Sequence, residues 1–274
     1  MTDSLKLLAI LAHPDDESLG VGSTLAKYAD EGVETYLICA TKGERGWTGE
    51  EEDNPGEIEM GRIRERELLC AAKVLGIREV HFLGYIDGEL DRADAREAAD
   101  KISTLIRRIR PQVAMTFGPD GAYGHPDHIA ISQYATEACL SAADSSRLEP
   151  QDLPSHRVSK FYYFVNDQEL KDNYLHVFPD AGMDVDGVRR LMFAWDDWML
   201  TTRIDGSAYW KTALRAVSCH ESQVAAYGAL KELSEARSIS LWGKRAYYRV
   251  FSSVNGGRAQ ETDLFEGLRA GTRP

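Results

Sequence analysis

The first 140 residues alternate short apolar runs with longer amphipathic segments, and this alternation constrains the fold more than any other feature. Leu5–Leu11 and Val33–Ala40 have the near-continuous apolar character of parallel strands that are covered on both faces. Val80–Leu83 and Val113–Phe117 are two further predicted strands. The strand–helix order, repeated along the chain, predicts an α/β fold with a Rossmann-like, doubly wound, mostly parallel sheet of strand order 3-2-1-4-5.

Four helices are predicted after these strands, because apolar residues recur there at helical spacing. Their expected bounds are Ser18–Ala29, Glu57–Leu75, Ala93–Arg110 and a last helix from Asp127 or His128 to about Leu140. The polar segments Thr41–Gly56 and Gly118–Gly124 are rich in helix breakers and are predicted to be loops. Long loops of this kind are usually functional.

Beyond Ser141 the pattern is less regular. A strand at Lys160–Val165 is followed by an irregular acidic stretch, helices at Tyr209–Val217 and Gln223–Leu233, and a late strand at Tyr247–Ser252. We therefore expect a Rossmann-like catalytic core over residues 1–165. Residues 166–274 are expected to form a smaller C-terminal α+β elaboration that packs on this core, within one structural unit, and shapes the substrate pocket.

The charge balance narrows the range of partners. The chain has a formal net charge of −12 at pH 7 and a pI near 5.1, whereas binding to a phosphate backbone needs clustered Lys and Arg. We expect no nucleic-acid partner and a small uncharged or cationic substrate. No apolar run approaches the roughly 20 residues of a membrane-spanning helix, and Leu5–Ala12 is too short for a signal peptide. A cytoplasmic protein without a membrane span is expected, with homo-oligomer formation left open.

The four cysteines are widely spaced and contain no Cys-x-x-Cys pair. They are Cys39, Cys70, Cys139 and Cys219. Such cysteines are typical of small buried side chains in a reducing compartment. We expect all four to be buried thiols.

Two polar runs carry ionisable side chains near the predicted carboxyl ends of strands. Ala12-His13-Pro14-Asp15-Asp16-Glu17 directly follows the first strand, and His125-Pro126-Asp127-His128 follows the fourth strand by one loop. These two strands are neighbours where the predicted winding reverses, so the runs should face each other across the ligand crevice. Two His and one carboxylate are the ligands of a catalytic zinc site that keeps one position for water.

These motifs resemble those of the LmbE-like or PIG-L family of zinc-dependent N-deacetylases, which act on N-acetylglucosamine-containing molecules and related amides. The resemblance spans roughly the first 140 residues. It includes the two runs, the Lys42-Gly43-Glu44-Arg45-Gly46 loop, Arg64-x-x-Glu67 on a helix ending at Leu75-Gly76, and Tyr123-Gly124 before His125. In the C-terminal third, only Cys219-His220-Glu221-Ser222-Gln223 looks like a stretch of that family. The resemblance implies hydrolysis of an N-acetyl amide on an amino sugar.

The resemblance implies three zinc ligands, which are His13, Asp16 and His128. A neutral imidazole pair and one carboxylate leave zinc a net positive charge, enough to lower the pKa of a water molecule to about 7. Asp15 is the implied general base, since it is next to a ligand but is not itself needed for coordination, and it can take the proton of that water. Zn²⁺ is the implied cofactor, and Fe²⁺ is the alternative because affinity order alone does not decide occupancy.

The remaining matching residues have implied roles around this centre. His125, which lies three residues before a ligand and is expected on the same face of a helical turn, stabilises the tetrahedral oxyanion or protonates the leaving amine. Tyr123 is a further oxyanion donor, and Asp127 orients a ligand histidine from behind. The implied substrate contacts are Arg64 and Asp87, with Glu44 helping to shape the site.

Other functions stay open at this point. The same metal site would serve an amidase that cleaves larger, thiol-linked or antibiotic-like glucosaminyl amides. Two His and one carboxylate also describe the facial triad of non-haem iron oxygenases, and a non-catalytic sugar-binding protein is a fourth interpretation. Among single residues, Arg64 with Glu67 alternatively forms an exposed helical ion pair. Asp87 alternatively caps a turn, and His220 either lines the pocket or begins a helix.

Overall fold

A seven-stranded sheet forms the centre of the computed structural model, which describes residues 4–147, 153–179, 182–223, 233–257 and 259–269. The described strands are β1 (Lys6–Leu11), β2 (Glu34–Thr41), β3 (Ile77–Tyr85), β4 (Val113–Phe117), β5 (Lys160–Val165), β6 (Gly182–Val185), β7 (Val188–Leu191), β8 (Thr202–Asp205) and β9 (Lys244–Ser252). The sheet has the order β3-β2-β1-β4-β5-β9-β8, and β6 and β7 form a separate hairpin. The predicted order 3-2-1-4-5 is therefore confirmed.

Strands β1 to β5 are parallel, as the apolar runs predict. The side chains of Leu7 to Leu11 are completely buried because β1 lies in the middle of the sheet. The C-terminal part then adds two antiparallel strands, since β9 pairs with β5 and β8 pairs with β9. Both parts of the chain thus contribute to one sheet, and the boundary at residue 165 stays a prediction.

The described helices are α1 (Asp16–Asp30), α2 (Glu57–Leu75), α3 (Ala95–Ile109), α4 (Gly121–Gly124), α5 (Pro126–Ala143), α6 (Gln168–Val177), α7 (Trp210–Val217) and α8 (Glu235–Trp242). Helices α1, α2 and α7 pack together, and α3 packs against α5. The predicted bounds of α2, β4 and β5 are confirmed, and those of α1, α3 and α5 differ by one to three residues. Among these helices, none has the length and apolarity needed to cross a membrane.

The structure differs from the sequence prediction in the less regular region. The stretch expected to be irregular contains α6 and the β6–β7 hairpin, and the loop over 118–124 contains the single turn α4. The predicted helix Gln223–Leu233 lies almost wholly outside the described residues, since 224–232 are not among them. The single turn α4 and the four-residue strands β6 and β7 are too short to show a clear period in the sequence.

The expectation of four buried thiols is wrong for one pair. Cys70, near the end of α2, forms a disulfide with Cys219, which follows α7, and their Cα atoms are 5.9 Å apart. A sequence separation of 149 residues leaves no spacing signal for such a pair. Cys39 and Cys139 are buried free thiols, as expected.

A buried ion cluster attaches the C-terminal segment to the sheet. Glu261, 1% exposed, lies 2.6 Å from the Nζ atom of Lys160 and 2.8 Å from Nη1 of Arg249. Its other carboxylate oxygen accepts hydrogen bonds from the hydroxyls of Tyr162 and Thr202, each at 2.8 Å. One carboxylate therefore holds β5, β8 and β9 together.

Candidate active site

A cavity of about 790 Å³ opens at the edge of the sheet where the parallel strands end. Residues that follow β1, β4 and β5 line it, as expected for a ligand crevice in this fold. Most of the predicted site residues line this cavity: His13, Asp15, Asp16, Arg64, Asp87, Tyr123, His125 and His128. The two polar runs predicted to meet are therefore brought into one site.

Three buried side chains converge on one point of this site. Nδ1 of His13 lies 3.2 Å from Nε2 of His128, which lies 3.4 Å from Oδ1 of Asp16. Oδ2 of Asp16 lies 3.8 Å from Nδ1 of His13. Two ring nitrogens and a carboxylate oxygen face each other here. A divalent cation could accept lone pairs from all three, whereas a single proton can be shared by only two of these atoms. The donor set therefore fits a metal ion.

The ring of His13 is held from its other side. Its Nε2 atom lies 3.0 Å from Oδ2 of Asp127 and 3.1 Å from Oδ1 of Asp87. Burial of the His13 ring opposes protonation, but these two carboxylates outweigh it and raise the pKa of His13 to about 10. Without a metal, both ring nitrogens of His13 therefore carry protons near neutral pH. A bound metal would displace the proton on Nδ1, and the proton on Nε2 would stay bonded to the two carboxylates.

Asp127, His13 and His125 form a second group of potential metal ligands, because their ligand atoms lie within 4.8 Å of one another. Its two oxygens, however, accept hydrogen bonds from the backbone N–H groups of Gly88 at 2.7 Å and Leu90 at 3.1 Å. Asp127 is completely buried. These bonds favour Asp127 as the group behind His13 and leave Asp16 as the carboxylate that faces the two ring nitrogens.

Asp15 lies in the left-handed backbone region, with φ of 111°, immediately before α1. Its N–H donates to Oε2 of Glu17 at 3.0 Å, and its Oδ2 accepts from Nη2 of Arg64 at 3.1 Å. Burial raises the pKa of the Asp15 carboxyl, although the Arg64 guanidinium opposes this shift. The carboxylate is thus fixed in direction and lines the cavity.

Arg64 is 4% exposed and lies against the loop that contains Gly43 and Gly46. Nη1 donates to the carbonyl of Gly43 at 3.1 Å, and Nη2 donates to the carbonyl of Pro14. A Cβ atom at either glycine would overlap the guanidinium. This burial does not fit the alternative of an exposed helical ion pair for Arg64.

His125 and Tyr123 lie on the α4–α5 side of the cavity. The His125 ring stacks on that of His128 with centroids 4.6 Å apart, and the Tyr123 ring lies 5.4 Å from that of His128. His125 is the N-cap of α5, with extended backbone, so it precedes the helix instead of sharing a helical turn with His128 as the spacing suggested. Its Nδ1 atom accepts from the N–H of Asp127 at 3.1 Å.

Glu44 is not among the described residues that line the cavity. Its Oε2 atom accepts from the backbone N–H groups of Asp87 at 3.2 Å and Lys42 at 3.3 Å. Glu44 therefore connects the long loop after β2 to the turn that carries Asp87, which itself faces His13 and Arg64.

A buried contact behind Asp15 was not predicted from the sequence. Nε2 of His220 lies 2.8 Å from Oε1 of Glu17, and both side chains are completely buried. Two residues further on, Ser222 donates to Glu67 through both its N–H and its hydroxyl, each at 2.7 Å. The stretch Cys219–Gln223 is therefore in contact with α1 and α2, and its His-x-Ser-Gln pattern was the available signal.

One side of the cavity is an apolar wall that was not predicted from the sequence. We define the apolar wall as Phe164, Leu170, Tyr174, Phe178, Met183 and Met192. These residues come from β5, from α6 and the residue after it, and from the β6–β7 region. The aromatic residues Trp195, Trp198, Tyr209 and Trp210 are not among the described lining residues.

Comparisons with known proteins agree with the fold and the motifs. The family model "PIG-L: GlcNAc-PI de-N-acetylase" matches residues 8–139. A 1D-myo-inositol 2-acetamido-2-deoxy-alpha-D-glucopyranoside deacetylase of Streptomyces scabiei is 33% identical and covers 96% of this chain and 90% of its own. A protein of the same name, numbered 1, from Catenulispora acidiphila is 31% identical and covers 97% and 90%.

A solved structure is similar over almost its whole length. The conserved protein TT1542 from Thermus thermophilus has a TM-score of 0.63 and 25% identity, and the match covers 92% of this chain and 97% of that one. The identity and coverage of the two deacetylases above are sufficient to assign the family. The chain belongs to the PIG-L family of de-N-acetylases.

Proposed function

We propose that the chain is a zinc-dependent N-deacetylase that hydrolyses the N-acetyl amide of an N-acetylglucosamine-type substrate. The observation that carries this proposal is the convergence of His13, Asp16 and His128 beside Asp15 in one cavity. Relatives named as deacetylases of a 2-acetamido-2-deoxy-glucopyranoside of inositol support the amide and the amino sugar. Amidase action on a larger glucosaminyl amide is the second candidate, since a cavity of about 790 Å³ exceeds the needs of an acetyl group.

His13, Asp16 and His128 would hold the metal ion. When bound, the ion supplies Lewis-acid chemistry, which makes water a nucleophile near neutral pH and polarises the amide carbonyl. Asp127 and Asp87 fix the ring of His13 from behind through Nε2. Zn²⁺ is our proposal for the ion, with Fe²⁺ as the alternative.

Asp15 is the proposed general base. Its carboxylate lines the cavity beside Asp16, and the bonds from Arg64 and to Glu17 hold it in one orientation. A carboxylate positioned in this way accepts the proton of the attacking water as the bond to carbon forms. The bonds of Arg64 support a positioning role for it, while contacts of Arg64 and Asp87 with sugar hydroxyls, and shaping of the site by Glu44, stay predictions.

His125 is proposed to stabilise the oxyanion of the tetrahedral intermediate. Because Nδ1 accepts the N–H of Asp127, the neutral ring carries its proton on Nε2 and can donate it as a hydrogen bond. Burial, with His128 and His13 nearby, lowers the pKa of His125 to about 3, which also favours the neutral ring. Tyr123 is the second proposed donor, since burial raises the pKa of its hydroxyl and keeps the proton on it.

Release of free amine from a panel of N-acetylglucosaminides tests this function. The panel should vary the aglycone and include inositol and thiol-bearing members, and the chelated protein should be reloaded with Zn²⁺ or Fe²⁺. We expect no release without metal and release with at least one ion. Folded, metal-loaded protein that releases no amine from any member would contradict the deacetylase. Dioxygen uptake with Fe²⁺ would instead support an oxygenase.

Gly46→Ala is expected to lower kcat/KM for amine release by about 10- to 100-fold, the cost of a misplacement of about 1 Å in a catalytic site. A Cβ atom there would lie 3.0 Å from Cζ of Arg64 and closer still to Nη1, so the buried guanidinium must leave the position from which it donates to Asp15. The matched control is Gly256→Ala, where a Cβ atom meets nothing within 4 Å. Equal kinetics for the two variants would show that Arg64 does not position Asp15.

A further inference from the structure

A buried arginine lines the cavity at a place that the proposed reaction does not use. Arg245 is the second residue of β9, and its neighbour Ala246 pairs with Val165, the last residue of β5. Because β9 runs antiparallel to β5, the start of β9 lies at the edge where the parallel strands end. The side chain of Arg245 is 7% exposed and lines the cavity together with the apolar wall.

Two of the three guanidinium nitrogens of Arg245 donate hydrogen bonds to the backbone of α1. Nε donates to the carbonyl of Gly20 and Nη2 donates to that of Leu19. These carbonyls precede Val21, where α1 departs from helical geometry with φ of −138°, so Arg245 satisfies acceptors at a kink. The third nitrogen, Nη1, is buried and has no hydrogen-bond partner among the described residues.

No carboxylate forms an ion pair with Arg245 in the described part of the chain. Both of its acceptors are neutral carbonyls, and no ion pair of Arg245 is present among the described residues. The nearby carboxylate of Asp167 accepts from Arg203 at 2.6 Å. By contrast, Arg249 on the same strand is paired with Glu261. A buried cation without a counter-charge is costly, and a bound anion would remove that cost.

We propose that Arg245 is an anion-binding residue of the substrate pocket, and that the substrate carries an oxyanion, a carboxylate or a phosphate, attached to an apolar group. Nη1 supplies the charged donor, and the apolar wall around it contacts the attached group. That this ligand is part of the substrate rests on the proposed function. The net charge of −12 favours an uncharged or cationic substrate, and the local charge at Arg245 reverses that expectation.

Binding to metal-free, chelated wild-type protein tests the subsite without turnover. The probes are phenylacetate, phenyl phosphate and the neutral phenylacetamide, measured by isothermal titration calorimetry. We expect one of the anions to bind at least about 10-fold more tightly than the amide, the gain from one charge-assisted hydrogen bond. The anion that binds more tightly distinguishes a carboxylate from a phosphate. Equal binding of all three probes, or no binding of either anion at millimolar concentration, overturns the proposal.

Variants locate the bound anion. Tyr174→Glu places a carboxylate in the apolar wall near Arg245 and is expected to remove the preference for the anion. The bonds of Arg245 to α1 do not involve Tyr174. The matched Tyr174→Gln variant should retain the preference. Arg245→Met should also remove the preference, with Arg62→Met as control because the side chain of Arg62 is exposed and is not among the described residues that line the cavity. An undiminished preference in folded Arg245→Met, or in Tyr174→Glu, overturns the assignment.

If the anions bind as expected while no N-acetylglucosaminide is deacetylated, the subsite stands and the proposed function fails. If amine is released but the anions show no preference for the wild-type pocket, the function stands and the subsite fails. The two experiments therefore test the anion subsite and the deacetylase function separately.

Discussion

Asp15→Asn is expected to lower kcat for amine release by about 10²- to 10⁴-fold, the usual contribution of a positioned general base. The asparagine has nearly the same shape and keeps an oxygen for Arg64, so the bond of 3.1 Å from Nη2 can persist. What is lost is the capacity to take a proton. The measurement is steady-state amine release at saturating substrate with the zinc-loaded variant.

Metal analysis and circular dichroism of the same sample are the controls, because Asp15 is next to the proposed ligand Asp16. We expect one bound zinc ion and an unchanged fold. Asp91→Asn, on an exposed turn, serves as the matched variant and should have normal kinetics. Normal turnover by Asp15→Asn with zinc bound would exclude this residue as the base and direct attention to the other carboxylates that line the cavity.

Glu261→Gln is expected to lower the free energy of unfolding by about 3–5 kcal/mol, the cost of breaking a buried ion pair by removing one charge. The amide keeps the shape of the side chain, but Lys160 and Arg249 then lack a carboxylate in a site that is 1% exposed at Glu261. Urea unfolding at pH 7 measures the difference. Glu52→Gln, whose side chain is exposed, is the control and should change stability by less than about 0.5 kcal/mol.

The same variant has an expected pH dependence. Burial alone would raise the pKa of Glu261, but its bonds with Lys160 and with Asn255, Thr202 and Tyr162 lower it to about 2. A glutamate in the unfolded chain has a pKa of about 4.3. Its contribution is therefore complete above about pH 4.3 and is lost as the pH falls towards 2. The stability difference between wild type and Glu261→Gln should narrow over that interval, and a constant difference would contradict the assignment.

The fold could be predicted from the sequence where the hydrophobic pattern of a strand and the winding rules of the sheet indicate the same structure. Continuous apolar residues in β1 indicate a strand covered on both faces, and Leu7 to Leu11 are completely buried. The winding rule then places the run after β1 beside the run after β4, and the structure brings His13 within 3.2 Å of His128. One short distance between residues 115 positions apart thus follows from the order of elements alone.

Contacts without a local period could not be predicted in this way. Glu17 and His220 are 203 residues apart, and nothing in the spacing of either residue indicates the other. Arg245 occupies an ordinary position near the start of a strand, and its task depends on a kink in α1 and on the direction of β9. By contrast, Leu170, Tyr174 and Phe178 of the apolar wall recur at helical spacing together with Val177. A closer search for periodicity would therefore have predicted α6, which carries part of that wall.

The backbone of Asp15 has a consequence for how this protein balances stability against activity. A residue other than glycine with φ of 111° costs about 1–3 kcal/mol, and such strain persists only where surrounding contacts enforce it. Here the enforcing contacts are the bonds to Glu17 and from Arg64. Glycine would relieve the strain at this position but would remove the carboxylate. The chain therefore keeps a conformationally unfavourable residue at its proposed base, and part of its folding free energy is used to hold one proton acceptor in place.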